Sequence, residues 1–339
     1  MNIIKNDHSS NTSDLKGKRV LITGGLGFIG SNLAHKCLDL GSKVTIFDIL
    51  DPRSGGNLYN IQDIRDSVEL CYSDILNFDY VSQHVSGKDI IFNCAASTSH
   101  PFSMKEPWID LDVNSRGVIN LLEAIRRFNR EVKFIHLGSS TQLGKLQYQP
   151  ADEKHPEFPT DIYSANKCVS EKYTLIYAKA HQIAATVIRL SNVFGPRASI
   201  HSPDFAFNNF FIGLALQGKE IPVYGDGKQL RNIIYIDDVV EALILASLTP
   251  KTDNESFFVV GDHHYSVSFI AEEIVKHLKK GKVKYVNWPK IRKSVDFGDA
   301  IITNQKFKTI SNWIPRTDFK AGLIKTKNYY EKCLEEYLR

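Results

Sequence analysis

The sequence predicts an α/β fold, a doubly wound parallel (Rossmann) sheet followed by a smaller, mixed C-terminal domain. Three observations predict it. Through about residue 190, apolar runs of strand length alternate with stretches of helical periodicity. The glycine-rich turn "TGGLGFIG" (23–30) directly follows the first such run and opens the first helical stretch. Beyond residue 191 the alternation loosens, with proline and glycine recurring in "VFGPR", "HSPD" and "IPVYGDGKQ". Strands joined by crossover-length helices pair in parallel, with helices on both faces. At 339 residues the chain can hold two domains that share a cleft.

Taken in order, residues 1–16 are polar and read as a disordered arm. "KRVLIT" (18–23) is a buried strand, and the helical spacing from Phe28 to Leu40 stops at Gly41. "KVTIFDI" (43–49), "VELCYSD" (68–74), "DIIFNCAA" (89–96), "VKFIHLGS" (132–139) and "AATVIRLS" (184–191) continue the series, with helical stretches at about 76–86 and 112–129. A further helix follows "HPEFPTDI" and carries "YSANK" (163–167). Residues 17–190 therefore form the first domain and 191–339 the second, with "RNIIYIDDVVEALILA", around 231–248, returning to the first. Ligands of such sheets bind at the carboxyl ends of the strands.

Composition narrows the function classes. A formal charge of +4, with both signs interspersed, leaves no basic stripe for nucleic acid or an anionic membrane. No apolar run approaches the length of a bilayer span, and the N-terminus lacks the apolar core of a signal peptide. Five widely spaced cysteines without a C-x-x-C pair argue against a disulfide framework or structural zinc, and for a reducing, cytoplasmic setting with no metal.

The first turn suits a dinucleotide. Gly24, Gly27 and Gly30 are spaced three apart, and Gly25-x-Gly27-x-x-Gly30 also fits the better-known spacing. Glycine lets the backbone turn tightly and approach a pyrophosphate, which rests on the helix amides at Phe28, Ile29 and Gly30. Asp48 ends the second strand, eighteen residues beyond Gly30. A carboxylate there accepts hydrogen bonds from ribose hydroxyls and repels a 2′-phosphate, favouring NAD over NADP; the same residue type also caps helices and turns. Arg53 is a nearby cation that weakens the preference. Asp74, after the third strand, is placed to touch adenine or to serve as a turn residue, and Ala95 ends the fourth strand beside the cofactor.

Tyr163 and Lys167 lie four apart, on one face of their helix. In a chain with fourteen tyrosines such a pair also arises by chance, so its neighbours decide. "TGGLGFIG", "LGSSTQLG", "YSANK", "RLSNVFGPR" and "GDGKQLRNIIYIDDVVEA" stand in the order and spacing of the extended short-chain dehydrogenase/reductase family. From about Lys18 to the final helix, the chain resembles its nucleotide-sugar epimerases and dehydratases. The resemblance implies that Tyr163 is the acid–base residue, that Lys167 assists it and holds the nicotinamide ribose, and that Ser139 hydrogen-bonds the reacting oxygen. A free tyrosine has a pKa of about 10, and lowering it by about three units takes roughly 4 kcal/mol from nearby positive charge.

Departures within the family narrow the reaction. Dehydratases resemble one another in an Asp-Glu pair directly after the serine, where this chain has Ser140 and Thr141. Decarboxylases usually carry glutamate at the second place. Serine, a small residue, then threonine is similar to the NAD-dependent 4-epimerases of UDP-hexoses, which pass through a transient 4-keto sugar. An NAD(P)H-dependent reductase of a nucleotide-linked 4-keto-6-deoxy sugar is the alternative; a 4,6-dehydratase and a non-catalytic cofactor-binding protein rank lower. The resemblance places Asn192 and Arg231 at the diphosphate and Tyr224 beside the base. Counting from Asp296 puts Lys293 near the phosphates and Ala300 where epimerases carry a residue limiting the sugar pocket, so alanine leaves room for a 2-acetamido or other enlarged hexose. Other departures are "FNCAAST", which lacks the histidine common at the end of the fourth strand, Asn232 for a usual aspartate, and His100, read as a loop residue more than a substrate contact. Relatives often dimerise through the helices carrying "NSRGVINLLEAIRRF" and "YSANKCVSEKYTLIYAKA" as a four-helix bundle, and a homodimer is expected.

Overall fold

The structure, a computed structural model, describes residues 12–289 and 298–338. Its strands are β1 (Arg19–Thr23), β2 (Lys43–Asp48), β3 (Glu69–Tyr72), β4 (Ile90–Asn93), β5 (Lys133–Ser139), β6 (Ala185–Leu190), β7 (Asn192–Phe194), β8 (Glu220–Tyr224), β9 (Leu230–Tyr235), β10 (Glu255–Val259), β11 (His264–Ser266) and β12 (Lys282–Val286). Seven form one parallel sheet in the order β10-β6-β5-β4-β1-β2-β3. Strand order reverses between β1 and β4, which opens a crevice at their carboxyl ends. β11, β9 and β7 make a mixed sheet, and β12 pairs in parallel with β8.

The helices are α1 (Phe28–Asp39), α2 (Phe78–Val85), α3 (His100–Lys105), α4 (Pro107–Leu111), α5 (Gly117–Phe128), α6 (Ile162–His181), α7 (Phe207–Leu216), α8 (Ile236–Leu248), α9 (Val267–Leu278), α10 (Gln305–Ser311) and α11 (Phe319–Tyr330). Alternation along the strands divides the core. In β1, Val20 and Ile22 face α1 and α8, together with Leu33 and Leu243. Leu21 faces the other way, into a layer with Val81 and Val85 of α2, Leu121, Leu122 and Ile125 of α5, and Ala178 of α6. The α1–α8 layer continues into the C-terminal region through Phe194, Ile221, Val223 and Trp313, so one apolar core spans both parts.

Three features differ from the sequence expectation. Residues 12–16, read as part of a disordered arm, include the 3-10 turn Thr12–Leu15, whose Leu15 is fully buried while its carbonyl accepts the Ser42 hydroxyl at 3.0 Å. In the returning unit α8 packs against α1 and the central sheet, but β9 pairs with β7 and β11 instead. β10, in a stretch where the sequence pattern is irregular, completes the central sheet beside β6.

The end of the chain ties these parts together. Tyr337 Oη donates to Asn60 Oδ1 at 2.6 Å, and Asn57 Nδ2 donates to the Glu336 carbonyl at 3.0 Å. Arg197, after β7, donates to the Asn60 carbonyl at 3.0 Å and to Asn32 Oδ1 of α1 at 3.1 Å. These bonds fix the loop after β2, one wall of the crevice, against the C-terminal region.

Candidate active site

The crevice is a cleft of about 1030 Å³. At its floor the chain leaves β1 through Gly24, with φ +67°, where a Cβ would come within 2.6 Å of the Ala95 nitrogen. A Cβ on Gly30 would meet the Gly24 carbonyl at 2.3 Å. Only glycine allows so close an approach of α1 to the turn. Gly27 is the N-cap of α1, and no side chain caps it. The first-turn amides of Phe28, Ile29 and Gly30 lack intrahelical acceptors and line the cleft, an arrangement that fits a pyrophosphate.

Asp48 closes β2. Its Oδ2 accepts the Leu26 N–H at 2.9 Å and its Oδ1 the Leu50 N–H at 2.7 Å. Burial pushes the carboxyl above its ordinary range, and these backbone bonds oppose the rise. Arg53, expected to act as a nearby cation, is held by Asp51 through Nε at 3.0 Å and Nη2 at 2.9 Å. Its charge is thus largely answered before a 2′-phosphate could meet it. Asp74 lines the cleft and also accepts the Leu76 N–H at 2.9 Å, so it is both a cleft residue and a turn residue. Ala95 lies against the glycine turn.

Ser139 ends β5, and its hydroxyl bonds the Thr141 hydroxyl at 2.8 Å. Asp161 caps α6 by accepting the Ser164 N–H at 2.8 Å, which places Tyr163 in the first turn and Lys167 one turn later. Lys167 Nζ donates to the Leu137 carbonyl at 3.0 Å. Burial pulls this lysine down to about 8, against the pull of Asp110. The phenol moves opposite to the sequence expectation. Burial pushes Tyr163 well above its ordinary range, aided by Asp110 and Asp161 and opposed by the Ser139 hydrogen bond. The chain's own groups therefore keep Tyr163 protonated, and a phenolate needs further positive charge in the cleft.

Behind Lys167 runs a buried polar chain. Thr23 donates to Asn93 at 2.6 Å, Asn93 Nδ2 to His136 Nδ1 at 3.0 Å, His136 Nε2 to Ser170 at 3.1 Å, and Ser170 to the Lys167 carbonyl at 3.1 Å. The amide donor assigns the Nε2–H tautomer of His136, and burial holds its pKa well below the usual value. Asn93, at the end of β4, thus links Thr23 to His136.

The far end of the cleft gathers the remaining expected residues. Asn192 donates to the Asn232 carbonyl at 2.9 Å, and Arg231 Nη1 to the Gly298 carbonyl at 2.6 Å. Ala300 is buried, with its N–H on the Leu230 carbonyl at 3.0 Å. Tyr224 packs against Trp288 with ring centroids 5.3 Å apart. All four line the cleft; Lys293 lies outside the described residues. Asn232, replacing the expected aspartate, exchanges hydrogen bonds with both backbone groups of Gly261.

Sequence reasoning passed over Trp288 and Asp161, and it treated His100 mainly as a loop residue. All three line the cleft, and His100 begins α3 with its ring against Tyr163. Asp161 carried a signal, since an aspartate three residues before Ser164 at a helix start is an N-cap pattern. Among the described residues, one trio of candidate metal ligands, Glu69, Cys71 and His84, lies outside the cleft. No helix of the described residues is long and apolar enough to cross a membrane.

The family model described as NAD dependent epimerase/dehydratase family matches residues 20–261. The chain is 29% identical to a dTDP-glucose 4,6-dehydratase of Streptomyces niveus, with 92% of each chain covered. It is 27% identical to a UDP-glucose 4-epimerase of Mycolicibacterium smegmatis, covering 92% of this chain and 98% of that one. Among solved structures it resembles the UDP-N-acetylglucosamine 4-epimerase of Methanobrevibacter ruminantium in complex with UDP-N-acetylmuramic acid, with a TM-score of 0.85 and 29% identity. That match covers 94% of this chain and 99% of the other.

Proposed function

The chain belongs to the NAD dependent epimerase/dehydratase family, and from that premise we propose that it is a 4-epimerase of a UDP-hexose. The observation that carries this reading is the hydroxyl-lined turn at Ser139, Ser140 and Thr141. The chain offers no carboxylate directly after Ser139 to eliminate water from a 4-keto sugar. NAD held by the glycine turn, Asp48 and Lys167 would supply the acceptor and donor for the C4 hydride and, when oxidised, a positive charge that favours the phenolate. Tyr163 takes the C4 hydroxyl proton while Ser139 holds the same oxygen. Lys167 stabilises the phenolate and binds the nicotinamide ribose, and Asp48 binds the adenosine ribose. Asn192 and Arg231 hold the diphosphate and Tyr224, backed by Trp288, the base. Ala300 leaves room for a substituent as large as an acetamido group.

In this reading residues 17–190, with the returning unit at 231–248, hold the cofactor and residues 191–339 the nucleotide sugar. The five free cysteines suit a reducing cytoplasm. The protein is a homodimer, paired through α5 and α6 as a four-helix bundle, and its product serves glycan biosynthesis.

The test uses the purified protein with nothing added. On denaturation it should release close to one equivalent of NAD(H), and the native protein should then interconvert a UDP-hexose with its C4 epimer without added cofactor. A protein that carries no dinucleotide and consumes NAD(P)H stoichiometrically would instead be the 4-keto-sugar reductase.

A further inference from the structure

Glu69, Cys71 and His84 converge outside the cleft, at the edge of the central sheet. β3 closes the strand order, so among the described residues its outer edge has no neighbouring strand. Residues two apart on a strand share a face, which puts the Glu69 carboxylate and the Cys71 thiol on one side of β3. On that side Cys71 packs against the layer holding Val81 and Val85 of α2, and His84 comes from the same helix. A carboxylate oxygen, the Cys71 Sγ and an imidazole nitrogen all lie within 4.8 Å of one another.

The surroundings orient two of the three ligands. His84 Nδ1 lies 2.8 Å from the Tyr80 carbonyl. A carbonyl only accepts, so Nδ1 carries the proton and Nε2 is the nitrogen left for a ligand. Metal-binding imidazoles are characteristically oriented by such an outer hydrogen bond. The ring lies parallel to Tyr80, with centroids 6.4 Å apart, and meets Phe47 edge-on at 5.4 Å. Glu69 Oε2 accepts the Thr45 hydroxyl at 2.6 Å and lies 3.7 Å from Lys88 Nζ. Lys88, the neighbouring cation, also donates to the Thr45 hydroxyl at 2.6 Å. Glu69 Oε1 has no hydrogen-bond partner among the described residues.

We propose that Glu69, Cys71 and His84 form a binding site for a zinc ion. Thiolate, imidazole and carboxylate are the ligands zinc takes, and three of them leave the fourth tetrahedral position to water. Calcium and magnesium take oxygen ligands, and cuprous copper favours sulfur, so the mixed set suits zinc better than either. On binding, zinc takes the place of the Cys71 thiol proton, which passes to solvent. The ion ties the edge strand β3 to α2. Just beyond β3, Ser73 and Asp74 line the cleft, as does Phe47, whose ring meets His84. The ion therefore braces one wall of the crevice and stays apart from Ser139, Tyr163 and Lys167. The sequence expectation of no metal rests on the absence of paired cysteines, and a trio gathered from a strand and a helix leaves no such spacing to read.

The experiment titrates the purified, untagged chain at neutral pH with Co2+, a spectroscopic substitute for zinc, and then with Zn2+. Cobalt should give a near-ultraviolet thiolate-to-metal band that saturates at one equivalent per chain, and zinc should erase it. Cys71→Ser should abolish the band. Glu69→Gln and His84→Gln should each weaken Zn2+ binding by about tenfold or more, measured against a chelating indicator. Zn2+ should also raise the melting temperature of the wild type and leave that of Cys71→Ser unchanged. A wild type that shows no band, or a band that survives Cys71→Ser, overturns the site. Should Cys71→Ser fail to fold, His84→Gln decides, and undiminished zinc affinity in that variant overturns the proposal. Neither the band nor the melting temperature depends on turnover, so the outcome stands whichever reaction the cleft performs.

Discussion

At the scale of single residues, the cleft is assembled from groups that cost the fold stability. Lys167 is 3% exposed and burial pulls it down to about 8, so below that pH the folded protein carries a buried ammonium at a cost of roughly 3 kcal/mol. The sign follows from linkage. The unfolded lysine titrates near 10.4, so between about 8 and 10.4 the unfolded chain binds more protons and folding gains stability as pH rises. Lys167→Met should therefore abolish turnover yet raise the melting temperature of the cofactor-free protein at pH 7, with the gap to wild type closing by about pH 10. Thermal scans at the two pH values check this, and a destabilised variant at pH 7 would contradict it. The glycine triplet, Asp48 and the Tyr–Lys pair could be brought to one cleft from the sequence because each stands at a strand end or a helix start that the local pattern marks. The raised phenol of Tyr163 was not legible, because it depends on burial and on Asp110, fifty-three residues earlier in the chain.

At the scale of elements, legibility followed sequence distance. The strands from β1 to β6 announce themselves, each an apolar run bounded by turn residues, although β3, at the sheet edge, is only partly buried. β10 is as apolar, but its partner β6 lies about seventy residues earlier, and nothing local to "ESFFV" specifies that pairing. β9 was misplaced for the related reason that its register is set by β7 and β11 rather than by the helix that follows it. The union of β1 and α1 was fully legible because it is local, and it is correspondingly intolerant. In Gly30→Ala the new methyl would meet a backbone oxygen at 2.3 Å, so α1 must move off the glycine turn and withdraw its amides from the pyrophosphate. NAD released on denaturation should fall roughly tenfold or more, the equivalent of about 1.4 kcal/mol or more of lost binding. Assay of the denatured supernatant reads this directly, and full occupancy would mean that the pyrophosphate does not rest on these amides.

At the scale of the whole molecule, one face has no intramolecular partner among the described residues. Trp108 is 77% exposed on α4 and Ile176 is 59% exposed on α6, with Leu111 and Val169 also exposed on the same two helices. α6 packs against both α4 and α5 beside the central sheet. A tryptophan left in water is a poor use of a side chain that contributes so much on burial. A second copy related by a two-fold axis would cover it with the same surface and make a bundle of four helices. This face also lies behind the site, since α6 carries Tyr163 and Lys167 on its inner side and α4 carries Asp110. Association would therefore stiffen the helices that hold the acid–base groups. The expected outcome is a dimer by light scattering, which Trp108→Glu together with Ile176→Glu converts to a monomer. The monomer should keep its NAD, because the residues expected to hold NAD line a cleft of one chain, but should lose turnover several-fold as α6 loosens. A wild-type protein that is monomeric at assay concentration would refute the pairing. A monomeric variant with undiminished turnover would show instead that the bundle assembles the protein without supporting the site.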